Sequence, residues 1–80
     1  MAKRAVTLIF PQHLIKEPVI YTLAKKFNLI PNIRRAKITE TVGEVTLEIE
    51  GNEKDLEAGL KEIEAKGVKV EPVTGDVVSG

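Results

Sequence analysis

Eighty residues and 8.8 kDa leave room for one domain with a modest core, burying roughly 60% of its unfolded surface, so a second subunit would add noticeably to its stability. With 42% hydrophobic and 30% charged residues the chain is composed to fold, and having no cysteine it excludes disulfides, thiolate metal cages, cysteine-ligated iron–sulfur clusters and a thiol nucleophile. Net charge is zero, yet residues 1–37 carry eight basic residues against Glu17 alone, a net of +7, while residues 38–80 carry four basic against eleven acidic, a net of −7. Such opposite halves attract one another within a compact fold.

Arg4–Phe10 is rich in β-branched and aromatic residues and is closed by Pro11, which predicts strand one. Val6, Leu8 and Phe10 share one of its faces, and Ala5, Thr7 and Ile9 the other. A loop over 11–16 follows. Glu17-Pro18 then opens a helix, with Pro18 expected at the first helical position, where its missing N–H costs nothing. Val19, Ile20, Leu23, Ala24 and Phe27 build one apolar stripe with Lys25 and Lys26 outside it, and Asn28 and Pro31 end the helix.

Residues 32–41 read as strand two, where Ile33, Ala36 and Ile38 fall out of phase and so predict a bulge near Arg34-Arg35. A turn is expected at Val42-Gly43. Glu44–Glu50 alternates strictly, with Val45, Leu47 and Ile49 inward, and forms a hairpin with strand two. Asn52 is a natural cap for a second helix whose first turn holds Glu53 and Asp55. Leu56, Gly59, Leu60 and Ile63 are its buried stripe, and Gly67 its left-handed stop. Residues 68–73 form the last strand, leaving Thr74–Gly80 as a loose tail on a core of about 4–73.

The order β-α-β-β-α-β defines the α+β, ferredoxin-like split βαβ plan: a four-stranded antiparallel sheet with two helices on one face. Right-handed crossovers place strands one and three in the centre and two and four at the edges. The face without helices then carries Thr7, Ile9, Thr46, Glu48 and Val73, with Ile9 as a contact residue.

Little chemistry survives this inventory. His13 is the only imidazole, in a loop, so neither a catalytic triad nor a histidine metal site can be assembled, and the glutamates lie at spacings that point outward. Gly43, Gly51, Gly59 and Gly67 recur every eight residues but form no phosphate-binding loop. RNA recognition by this fold needs aromatic residues on the inner strands, and strand three offers three outward carboxylates instead. The expectation is a protein with no catalytic residues, metal or cofactor, and no nucleic-acid partner. No apolar run approaches about 20 residues, so no membrane insertion is expected, and a cytoplasmic location is. The start of helix one is suited to a carboxylate. Leu14 and Ile15 beside it either cover the core edge or line a small apolar pocket.

Val6-Thr7-Leu8-Ile9-Phe10-Pro11, Glu17-Pro18-Val19-Ile20, Ala24-Lys25-Lys26-Phe27-Asn28, Asn32-Ile33, Val45-Thr46-Leu47-Glu48-Ile49-Glu50-Gly51 and Gly67-Val68-Lys69-Val70-Glu71 together resemble the NIL domain. That family occurs at the C-terminus of the ATP-binding subunits of bacterial methionine ABC importers and fused to small ferredoxins. The resemblance implies a dimerising regulatory domain that binds methionine, with Asn32, Ile33 and Arg34 as the ligand-site positions near a dimer interface. Arg34 departs from the leucine the family's signature has there, replacing an apolar wall with a cation. No phosphate-binding loop is present, and the cluster cysteines of the ferredoxin-linked members are absent. The reading is therefore a stand-alone, dimeric module for a small amino acid such as methionine. The alternative is an interaction module docking through its sheet face and the edge of strand two onto a sulfur-metabolism, ferredoxin or transporter partner, with Arg34, Arg35 and Lys37 as polar contacts.

Overall fold

Four strands and two helices follow one another in the expected order in the computed structural model, which describes residues 1–73. They are β1 (Ala2–Phe10), α1 (Val19–Phe27), β2 (Ile30–Ile38), β3 (Gly43–Gly51), α2 (Glu53–Lys66) and β4 (Lys69–Pro72). The tail expected at 74–80 lies outside the described residues. The strands form one antiparallel sheet in the order β2-β3-β1-β4, so β1 and β3 are central. The architecture is α+β and ferredoxin-like.

Strand β3 shows the physics most plainly. Val45, Leu47 and Ile49 are buried, with Thr46, Glu48 and Glu50 between them only partly covered, as a period of two on a one-sided sheet demands. Val6 and Leu8 of β1 face the same way, and α1 supplies Val19 and Leu23 while α2 supplies Leu56, Leu60 and Ile63. Leu14, Leu29 and Val68 close the core from the connections, and among the described residues no polar side chain is buried. Gly59 lets the helices approach: a Cβ there would stand 2.8 Å from Leu23 Cδ1.

Asn52 caps α2, its side chain accepting from the Lys54 N–H at 3.2 Å, and Gly67 ends it at φ 111°. Asn28 ends α1 in the left-handed region at φ 57° and ψ 46°. Its neighbour Leu29 then dives into the core and β2 begins at Ile30, earlier than expected. Pro31 is tolerated within β2 because this is an edge strand, where the absent N–H breaks nothing essential.

Two local expectations are corrected. Pro18 is the N-cap of α1 and not its first residue: its carbonyl accepts from Thr22 at 3.0 Å. At φ −79° and ψ 61° it is the centre of an inverse γ-turn in which the Val19 N–H donates to the Glu17 carbonyl at 2.8 Å. The β2–β3 turn is likewise not Val42-Gly43. It spans residues 39–42, closed by the Thr39 N–H on the Val42 carbonyl and by Thr39 Oγ1 accepting from the Val42 N–H. Gly43 is buried as the first residue of β3, under Phe10 and Ile15.

Candidate functional site

The β2 strand carries the expected ligand residues, and a bulge decides where they point. Pairing with β3 runs in register from Ile30↔Glu50 to Ile33↔Leu47, then resumes at Arg35↔Thr46, so Arg34 is the extra residue. This shift brings Ile33, Ala36 and Ile38 all to the helix side, opposite Leu47, Val45 and Gly43. Asn32 and Arg35 pair with Glu48 and Thr46 on the open face, where the Thr7 and Thr46 hydroxyls lie 3.0 Å apart across the central strands. Arg34 Nη2 donates to Glu48 Oε1 at 2.9 Å.

Asn32, Ile33 and Arg34 therefore do not converge on one point. Asn32 lies in a shallow groove of about 260 Å³ on the open face, lined also by Lys3, Ile30, Pro31, Glu48 and Glu50. Arg34 reaches this groove through its bond to Glu48. Ile33 lies on the other side of the strand and is 53% exposed. Alternation alone makes this separation legible in the sequence. Sequence reasoning did not single out Lys3 or Glu50, whose lining of the groove follows from the pairing of β1 with β3 at Lys3↔Glu50.

Apolar surface gathers on the same flank. Of six large hydrophobic side chains left exposed among the described residues, Ile30, Ile33 and Ile38 belong to β2, Val42 follows it and Tyr21 stands on α1; Met1 is the sixth. Helix α1 does not cover β2 fully, so the helix-side residues of this edge stay in water. Between the start of α1 and the end of β2 lies an apolar cleft lined by Phe10, Ile15, Ile20, Ile38 and Val45, among others. Leu14 is core, whereas Ile15 lines this cleft.

Three ion pairs join the two oppositely charged halves of the chain among the described residues. Arg4–Glu53, Lys26–Glu62 and Arg34–Glu48, at 3.2, 2.7 and 2.9 Å, each join a cation of the first half to a carboxylate of the second. His13 is exposed in a 3-10 turn over Gln12–Leu14. No cluster of three metal-ligating side chains occurs among the described residues, and no helix there is long and apolar enough to cross a membrane.

A one-sided split βαβ sheet with an apolar, cation-bearing edge strand defines a small ferredoxin-like module. The NIL domain profile matches residues 4–72, so the chain belongs to the NIL domain family. Among solved structures it is similar to the C-terminal domain of an ABC transporter ATP-binding protein from Enterococcus faecalis. The two superpose with a TM-score of 0.80 at 21% identity, over 91% of this chain and 86% of the other, which establishes the shared fold. A search of curated proteins gives no match.

Proposed function

We propose that this chain is a cytoplasmic, non-catalytic regulatory module that binds a small amino acid such as methionine in the groove at Asn32 and acts as a dimer through the flank of β2. The observation that carries the reading is the chemistry of that groove. Lys3 offers a cation, Glu48 and Glu50 offer carboxylates, Asn32 offers an amide that both donates and accepts, and Ile30 and Pro31 supply apolar contact. A zwitterion with an apolar side chain matches such a set: its carboxylate meets Lys3, its ammonium meets the glutamates, and Asn32 fixes its orientation.

Arg34 acts here through Glu48, holding that carboxylate at the groove rather than forming an apolar wall. Ile33, on the other side of β2, belongs to the contact with the second subunit. NIL family membership and the likeness to a transporter ATP-binding subunit's terminal domain support a regulatory role, exercised on a transporter or on another partner. Calorimetric titration with methionine tests the reading. Saturable heat that is lost in Asn32→Ala and weakened in Lys3→Ala supports it; no heat with methionine or with other small amino acids removes it.

The alternative, a protein-docking module, is favoured by one observation. Arg35 and Lys37 have no ion-pair partner among the described residues and stand on the open face of an edge strand. A pull-down that recovers a partner through wild type and loses it with Arg35→Ala/Lys37→Ala, in the absence of amino-acid binding, selects this reading over the first.

A further inference from the structure

We propose that the cleft at the start of α1 is a second ligand site, for a small apolar molecule bearing an ammonium group. The cleft lies on the helix side of the sheet near Ile38, whereas the Asn32 groove lies on the open face near the beginning of β2. Six residues of strand separate the two, about 20 Å. They share no lining residue, so this inference stands apart from the amino-acid reading above.

The walls of the cleft are apolar. Phe10 and Val45 come from the central strands, Ile15 from the loop, Ile20 from α1 and Ile38 from the edge strand. Gly43 leaves little room for a side chain, since a Cβ there would meet Ile15 Cγ1 at 3.1 Å and Phe10 Cβ at 3.2 Å. Those two side chains therefore rest directly on the backbone. The cleft is open on one side and has a volume of about 170 Å³, close to that of the ~150 Å³ apolar cavity that accepts one benzene ring. The space thus suits one ring or a short aliphatic or thioether chain. Ile38 and Tyr21 at its border are 58% and 61% exposed, so a ligand there removes apolar surface from water that the fold itself leaves uncovered.

Charge selects the polar end of the ligand. Among the described residues Glu17 is the only charged one lining the cleft, and it has no ion-pair partner there. It is exposed and sits at the mouth, so a cation on the ligand meets a carboxylate while its apolar part enters between Ile15, Ile20 and Ile38. A free anion would meet the same carboxylate and be repelled.

The test is a titration of the whole 80-residue chain followed by methyl and amide NMR, with 3-(methylthio)propylamine, the neutral 3-(methylthio)propan-1-ol and methionine as probes. The amine is expected to shift the methyl groups of Ile15, Ile20, Ile38 and Val45 saturably, and the alcohol to bind about threefold more weakly, the value of one solvent-screened charge contact. Glu17→Gln, an exposed substitution whose spectrum reports directly that the fold is kept, should erase the difference between amine and alcohol. Asn32→Ala should leave the amine's affinity unchanged while abolishing methionine's, which separates the two sites. Unmoved cleft methyl groups, equal affinity for amine and alcohol, or an amine affinity indifferent to Glu17→Gln would each overturn the proposal.

Discussion

Arg34 Nη2 and Glu48 Oε1 are 2.9 Å apart on the open face, so the one extra residue of the β2 bulge is tied to the neighbouring strand by its own side chain. Both side chains are part-exposed, at 42% and 26%. Water and salt screen such a pair, which limits its contribution to about 1 kcal/mol or less. Arg34→Leu and Glu48→Gln are therefore each expected to lower the unfolding free energy read by urea titration by no more than that. A loss above about 2 kcal/mol would mean the ion pair, and not the pairing of β2 with β3 on either side, holds the bulge in register.

The bulge also shows what the sequence discloses and what it withholds. Ile33, Ala36 and Ile38 are spaced three and two apart, and only an inserted residue lets all three share a face, so the irregularity was legible before any coordinates. The strict alternation of Glu44–Glu50 and the stripe of Leu56, Leu60 and Ile63 were equally plain, because each periodicity involves neighbours along one element. The apolar cleft was not. It joins Phe10 to Ile38 and Val45, residues brought together only by the strand order, and no local pattern marks that meeting. The sequence points to Pro18 as the first helical residue, one position off, because a proline φ near −65° suits both that place and an inverse γ-turn. The choice between them lies in the chain's approach from Glu17.

Gly67 ends α2 at φ 111°, where its N–H donates to the carbonyls of Glu64 and Ile63, and the next residue, Val68, enters the core. An L side chain in that region costs about 1–2 kcal/mol. Gly67→Ala should lower stability by this amount with an unchanged dependence on urea concentration. The space around it is open, since a Cβ would come no nearer than 3.7 Å to Pro11, so the whole effect is conformational. Unaltered stability in the alanine variant would refute that account.

Leu47 is wholly enclosed at the centre of β3, in a core assembled from both helices and the central strands. Leu47→Ala removes its side chain from a place with little freedom to collapse, and comparable core truncations cost about 3–5 kcal/mol. For a domain of 80 residues this is a large share of the total stability, so the variant should be partly unfolded at 25 °C. Circular dichroism and urea titration read the effect. A loss below about 1 kcal/mol would show a core able to close around the gap.

Ile33 offers the sharpest test of the proposed dimer, because its side chain is more than half exposed on the helix side of an edge strand. In a lone molecule Ile33→Lys breaks no packing and should change stability by about 0.5 kcal/mol at most. In a dimer joined along the β2 flank, the same substitution puts two lysine charges into the apolar contact, with no acidic residue on β2 itself to meet them. Light scattering is expected to give twice 8.8 kDa for wild type and 8.8 kDa for the variant, with both chains folded. Wild type remaining at 8.8 kDa at every concentration up to the millimolar range would remove the dimer, and a variant that stays dimeric would place the contact elsewhere than on β2.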